Sequence, residues 1–116
     1  MSDKDCLFCK IIAGEIPAEK IYENDYVLAF KDIQPASPHH YLIIPKIHKA
    51  SLQEFVDGDQ QVLGELMLAA PKIAQEQGFA EAGYRTVVNT GKDGGQTVFH
   101  LHMHLLAGRE HQWPPG

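Results

Sequence analysis

Val98-Phe99-His100-Leu101-His102-Met103-His104-Leu105-Leu106 alternates imidazoles with apolar side chains. Period-2 alternation is the mark of a half-buried strand, so residues 98 to 106 are predicted as one. On such a strand His100, His102 and His104 share one face, while Leu101, Met103 and Leu105 point into a core. Neighbouring imidazoles would stand about 6.6 to 7 Å apart, close enough for one phosphate or one metal ion to touch two of them. β-propensity alone favours Thr, Val or Tyr at such positions, so three titratable rings in a row point to chemistry.

Working outward, Thr90-Gly91-Lys92-Asp93-Gly94-Gly95-Gln96-Thr97 is a glycine-rich loop able to turn main-chain amides toward an anion. Residues 84 to 89 read as the strand before it. Val62, Leu66, Ala69, Ala70, Ile73 and Ala74 mark one face of a long helix that Gly78 ends. Asp57 with Gln60 forms a capping box for that helix, or Asp59 caps it, and Pro71 predicts a kink or break. Residues 40 to 44 read as a central strand stopped by Pro45. Residues 20 to 23 and 26 to 30 form a hairpin across Asn24-Asp25. Residues 6 to 13 form a short helix with Leu7, Phe8, Ile11 and Ile12 at helical spacing and Gly14 at its end. The expected architecture is α+β: a meander of five antiparallel strands with both helices on one face.

The 116 residues suffice for one domain spanning the chain, with residues 107–116 as a C-terminal tail. A tryptophan in that tail, Trp113, makes sense docked on a second subunit. A net charge of −5 argues against a sequence-independent grip on DNA or RNA, so any phosphate bound is small and held locally. No apolar run approaches the ~20 residues of a membrane span, and Met1–Asp5 shows no secretory pattern. The expected location is the cytoplasm. There, a Cys6-x-x-Cys9 pair is a metal or redox pair before it is a structural disulfide.

A neutral imidazole is a competent nucleophile toward phosphorus when its other nitrogen is held protonated. A neighbouring imidazole can hold phosphate oxygens or protonate a leaving group. His102, flanked on both sides, is the natural nucleophile, and the chemistry needs no metal at the reacting centre. One rival reading has the His100/His102 pair chelating a catalytic zinc.

His100-Leu101-His102-Met103-His104-Leu105-Leu106 resembles the His-φ-His-φ-His-φ-φ signature, φ being apolar, of the histidine-triad nucleotide-binding family. The likeness extends through Lys10-Ile11-Ile12, Glu15-Ile16-Pro17, Ala29-Phe30-Lys31-Asp32-Ile33, His40–Lys46, Val88-Asn89 and Gly94-Gly95-Gln96-Thr97. The closing Trp113-Pro114-Pro115-Gly116 resembles the Hint branch. The resemblance implies a homodimer with a ten-stranded sheet that hydrolyses purine nucleoside 5′-phosphoramidates, adenosine 5′-monophosphoramidate being typical, through a nucleotidyl-histidine. It implies His102 as nucleophile, His104 and Thr97 at the phosphate and leaving group, and His40 and His100 as a relay behind His102. Asn89, Gly95 and Gln96 would complete the phosphate cradle. Asp32 would take the ribose hydroxyls, and Leu7, Phe8, Ile11, Ile16, Phe30 and Ile33 would sandwich the purine. Trp113 is counted with the nucleotide-binding residues. Thr97 stands where the family usually has Ser. Alternatives are a dinucleoside polyphosphate hydrolase and a nucleotide-binding interaction module.

Many bacterial members with the N-terminal cysteine pair bind zinc, and the matching residues here are Cys6, Cys9, His48 and His100. Two readings stay open, a structural zinc and a thiol pair without metal. A thioredoxin-like role is disfavoured because no strand precedes the pair. His39 and His111 are read as surface residues.

Overall fold

The computed structural model describes residues 5–116. Five strands, β1 (Lys20–Glu23), β2 (Val27–Lys31), β3 (His39–Pro45), β4 (Arg85–Val87) and β5 (Met103–Ala107), form one antiparallel sheet in the order β1-β2-β3-β5-β4. The first three strands are a meander. The chain then crosses through the long helix to the edge strand β4, and β5 returns between β3 and β4, which departs from a simple meander.

The β1–β2 turn forms because Asn24 Oδ1 accepts the main-chain N–H groups of Tyr26 (2.8 Å) and Val27 (3.0 Å), the side-chain mimic of a turn. β2 and β3 are continuous apolar runs, and every residue from Val27 to Phe30 and from His40 to Pro45 is buried. That pattern demands cover on both faces. Helices α1 (Leu7–Ile12) and α2 (Gln60–Gln77) supply it from opposite sides, correcting the expectation of helices on one face. Leu66, Ala69, Ala70, Ile73 and Ala74 of α2 pack on Val27, Ala29, Tyr41, Ile43, Met103 and Leu105. Phe8 and Ile11 of α1 pack on Leu28, Phe30, Leu42 and Ile44. Each fully buried Leu or Ile contributes about 1.5–3 kcal/mol.

Helix α2 runs unbroken through Pro71 and ends at Gly78, whose φ of +86° suits glycine. The apolar face of α2 is anchored on both sides of the proline, so packing overrides the lost hydrogen bond. The capping box is also absent: Asp59 takes the N-cap position, but its carboxylate accepts from Val56 N (2.9 Å) and Lys49 Nζ (2.6 Å) instead. No helix among the described residues is long and apolar enough to cross a membrane.

The segment from Val98 to Leu106, expected as one strand, is only half strand. β5 begins at Met103, and residues 98–102 run as irregular chain, with Leu101 N donating to Lys49 O at 2.9 Å. The turn at Val98–His102 lets His100 and His102 leave the alternation that β5 imposes on His104.

Candidate active site

Beside α1, on the face opposite α2, lies a cleft of about 630 Å³. Leu7, Phe8 and Ile11 from α1, with Ile16, Phe30 and Ile33, give it an apolar wall, and Asp32, Thr97, His102 and His104 stand in the same lining. These ten residues were all picked out from sequence. Pro17, Ala18, Glu19, Lys31, Gln34, Leu42 and Val98 complete the lining without having been assigned to it from sequence. Leu42 pairs with His104 across β3 and β5, so only the register could have flagged it. Glu19, just before β1, forms an ion pair of 2.7 Å with Lys31 at the end of β2, which a linear reading also hides.

Other expected residues lie elsewhere. Trp113, which is 81% exposed, lies outside the cleft lining, and Asn89 and Gly95 are not part of that lining either. Gln96 is buried as a brace of its own loop: its amide donates to Ala50 O (2.6 Å) and Val98 O (3.0 Å) and its Oε1 accepts from Gly91 N (3.0 Å). Gly94 permits that loop, because a Cβ there would lie 2.5 Å from Thr90 O.

The three imidazoles of the triad have three different surroundings. His102 Nδ1 donates to the main-chain carbonyl of His100 at 2.8 Å, which fixes the proton on Nδ1 and leaves a lone pair on Nε2. Phe8 packs edge-on against the His102 ring, with centroids 5.2 Å apart. His104 is half-buried, its ring centroid 5.1 Å from that of His102. Burial first, then His102 and His40, push the His104 pKa down to about 4, against the opposing pull of Asp32.

The expected relay behind His102 is not formed by the rings of His40 and His100. His40 Nε2 meets His104 Nδ1 at 2.9 Å and Asp32 Oδ2 at 3.4 Å, and burial holds its pKa below the usual range. His100 meets His102 through its carbonyl, and its fully buried ring lies with Cys6, Cys9 and His48 instead. A shared catalytic zinc on His100 and His102 is thereby corrected as well, since the two rings address different surroundings.

The HIT domain matches residues 13–111. The chain belongs to the HIT family. It is 53% identical over 113 residues to an uncharacterized HIT-like protein of Synechococcus elongatus, covering 97% of this chain and 98% of that one. A crystal structure of a HIT family hydrolase from Legionella pneumophila superposes with a TM-score of 0.94 at 50% identity, over 97% of this chain and all (100%) of the other. A histidine triad protein from Clostridium difficile gives 0.91 at 47% identity, over 95% and 96% of the two chains.

In this HIT protein the His100 ring joins a second cluster. Its Nε2 donates to Pro45 O at 2.9 Å, which leaves Nδ1 bare toward Cys6 Sγ (3.3 Å), Cys9 Sγ (3.5 Å) and His48 Nδ1 (3.1 Å). Cys9 Sγ also lies 3.3 Å from His48 Nδ1, and all four donor atoms fall within 4.8 Å of one another. Four ligands on a tetrahedral zinc, with Zn–S of about 2.3 Å and Zn–N of about 2.0–2.1 Å, stand roughly 3.3–3.8 Å apart. The donor set fits that ion, and the hydrogen bond to Pro45 orients His100 as outer partners orient metal-binding histidines. Cys6 also caps α1, accepting Cys9 N–H at 3.3 Å. His39 and His111, read as surface residues, are partly buried, with His39 Nδ1 2.9 Å from the Tyr41 hydroxyl.

Proposed function

We propose that this HIT protein is a Hint-type hydrolase that cleaves the P–N bond of purine nucleoside 5′-phosphoramidates. The observation that carries the reading is the bare Nε2 of His102, fixed by its Nδ1–H bond to a carbonyl, in a cleft with an apolar wall and a carboxylate in one lining. The apolar wall suits a purine, Asp32 suits the two ribose hydroxyls, and the imidazole reaches the phosphorus between them. His102 Nε2 bonds to the α-phosphorus as the P–N bond breaks, and the departing nitrogen takes up a proton from solvent to leave as the amine. Water then attacks the same phosphorus, breaks the P–N bond to His102 and loses a proton to solvent, releasing the nucleoside monophosphate. Thr97 and His104 hold the phosphoryl oxygens and the leaving group. The Thr97 methyl, absent from the usual Ser, alters which leaving groups are tolerated.

The reading extends to a homodimer in which Trp113, whose ring lies in water on the single chain, covers part of the partner. It also gives the Cys6, Cys9, His48 and His100 cluster a structural zinc that staples α1 to the chain before β5. The protein would work in the cytoplasm, where reducing conditions keep both thiols available to a metal. The test is turnover of adenosine 5′-monophosphoramidate by wild type and by His102→Ala. The variant should lose at least about 10³-fold in kcat, and full activity in it would refute the mechanism.

A further inference from the structure

We infer that His40 is a positioning residue for His104: the main-chain N–H of Ala36 fixes the proton of His40 on Nε2, and that proton fixes His104 as an Nε2–H donor in the cleft. Ala36 N donates to His40 Nδ1 at 2.9 Å, and a main-chain amide can only donate. His40 Nδ1 is therefore bare, and the single proton of the neutral ring sits on Nε2. That N–H faces His104 Nδ1 at 2.9 Å, with Asp32 Oδ2 farther off at 3.4 Å. A proton on His104 Nδ1 would set two N–H groups against each other, so His104 carries its hydrogen on Nε2. The reverse register would put an N–H on His40 Nδ1 against the Ala36 amide. Burial supports the neutral forms, since both rings have depressed pKa values.

The fold holds Ala36 in place from behind. After β5 the chain turns at Gly108, whose φ of +96° and 2.7 Å approach of a notional Cβ to Pro38 leave no room for a larger residue. Arg109 then donates to Ala36 O (3.4 Å), and His111 Nε2 meets Ser37 Oγ (3.2 Å). The two rings facing the cleft thus carry opposite hydrogens. His102 offers a lone pair and His104 an N–H, so His102 attacks while His104 donates to a phosphoryl oxygen or the leaving group and cannot act as the base for water.

The same register reinterprets a set of residues with the look of a metal site. Asp32, His40 and His104 bring three ligand-type atoms within 4.8 Å of one another. Coordination through His40 Nε2 would force its proton onto Nδ1, against the Ala36 amide. This cluster passes a hydrogen bond rather than holding an ion.

The catalytic consequence rests on the phosphoramidase reading above, whereas the proton register does not. Long-range ¹H–¹⁵N correlation on uniformly labelled protein without substrate reads each ring directly. Wild type at pH 7 should show His102 protonated on Nδ1 and His104 on Nε2, and His104 protonated on Nδ1 overturns the inference. In His40→Phe, which has no donor, the His104 nitrogens should average between tautomers. In that variant kcat should fall at least about tenfold while nucleoside monophosphate affinity stays within about threefold. His40→Gln, whose side-chain N–H can take the place of Nε2–H, should recover most of that loss. Equal activity of the Phe and Gln variants overturns the positioning role. A wild-type spectrum as expected together with no phosphoramidate turnover supports the register and defeats the phosphoramidase reading, so the two fail separately.

Discussion

His100 and His102 are two residues apart, yet one joins a cluster of metal-type donors with Cys6, Cys9 and His48 and the other lines the cleft beside α1. The difference lies in what the second nitrogen of each ring meets. In His100 the Nε2 donates to Pro45 O and the bare Nδ1 faces two sulfurs and His48. In His102 the Nδ1 donates to the His100 carbonyl and the bare Nε2 is left for the cleft. Residue type supplies the imidazole, and a main-chain carbonyl decides which nitrogen is reactive.

Removing the lone pair that His102 offers the cleft should have the largest effect. In His102→Ala, turnover should fall by about 10³-fold or more, while the metal content of the protein, measured by atomic emission, stays at the wild-type value. A matching loss of metal would mean that the two clusters are one unit. Cys9→Ser should do the opposite, removing a ligand and lowering Tm by about 10 °C. Scanning calorimetry with and without added Zn²⁺ checks this, and an unchanged Tm would remove the structural role of the cluster.

A smaller effect separates the clusters by pH. His104 titrates near 4 in the folded protein against 6.5 when unfolded. Below pH 6.5 the unfolded chain binds the extra proton first, so folded stability falls as pH drops from 6.5 to about 4 and is level above that window. His104→Gln should flatten the Tm profile between those limits, and an unchanged slope would show that His104 is not the group responsible. Smallest is Thr97→Ser, which keeps the hydroxyl and restores the family's usual residue. It should change kcat/KM by less than about threefold for small amines and raise it for bulky ones, as steady-state kinetics over an amine series would reveal.

Legibility from sequence divides along the same line. Both helices and the strands, apart from the first half of the 98–106 segment, follow from local signals (alternation, helical spacing, Asn24-Asp25, Gly14 and Gly78), whereas the apolar wall of the cleft came with the family resemblance. The metal-type cluster was legible through its cysteine pair only with help from family resemblance, because Cys6 and Cys9 lie 39 or more residues from His48 and His100. The ring partners were not legible. That His40 serves His104 depends on the pairing of β3 with β5 and on an amide in the loop before β3. The placement of α1 and α2 on opposite faces could have been read from β2 and β3, since Val27–Phe30 and Tyr41–Ile44 are apolar without alternation.

Rapid-quench mass spectrometry of the protein mixed with a slowly released nucleoside phosphoramidate tests the account most directly. It predicts a transient nucleotidyl adduct that maps to the peptide carrying His102 and vanishes in His102→Ala. An adduct on any other side chain, or turnover with none formed on any residue, would contradict it.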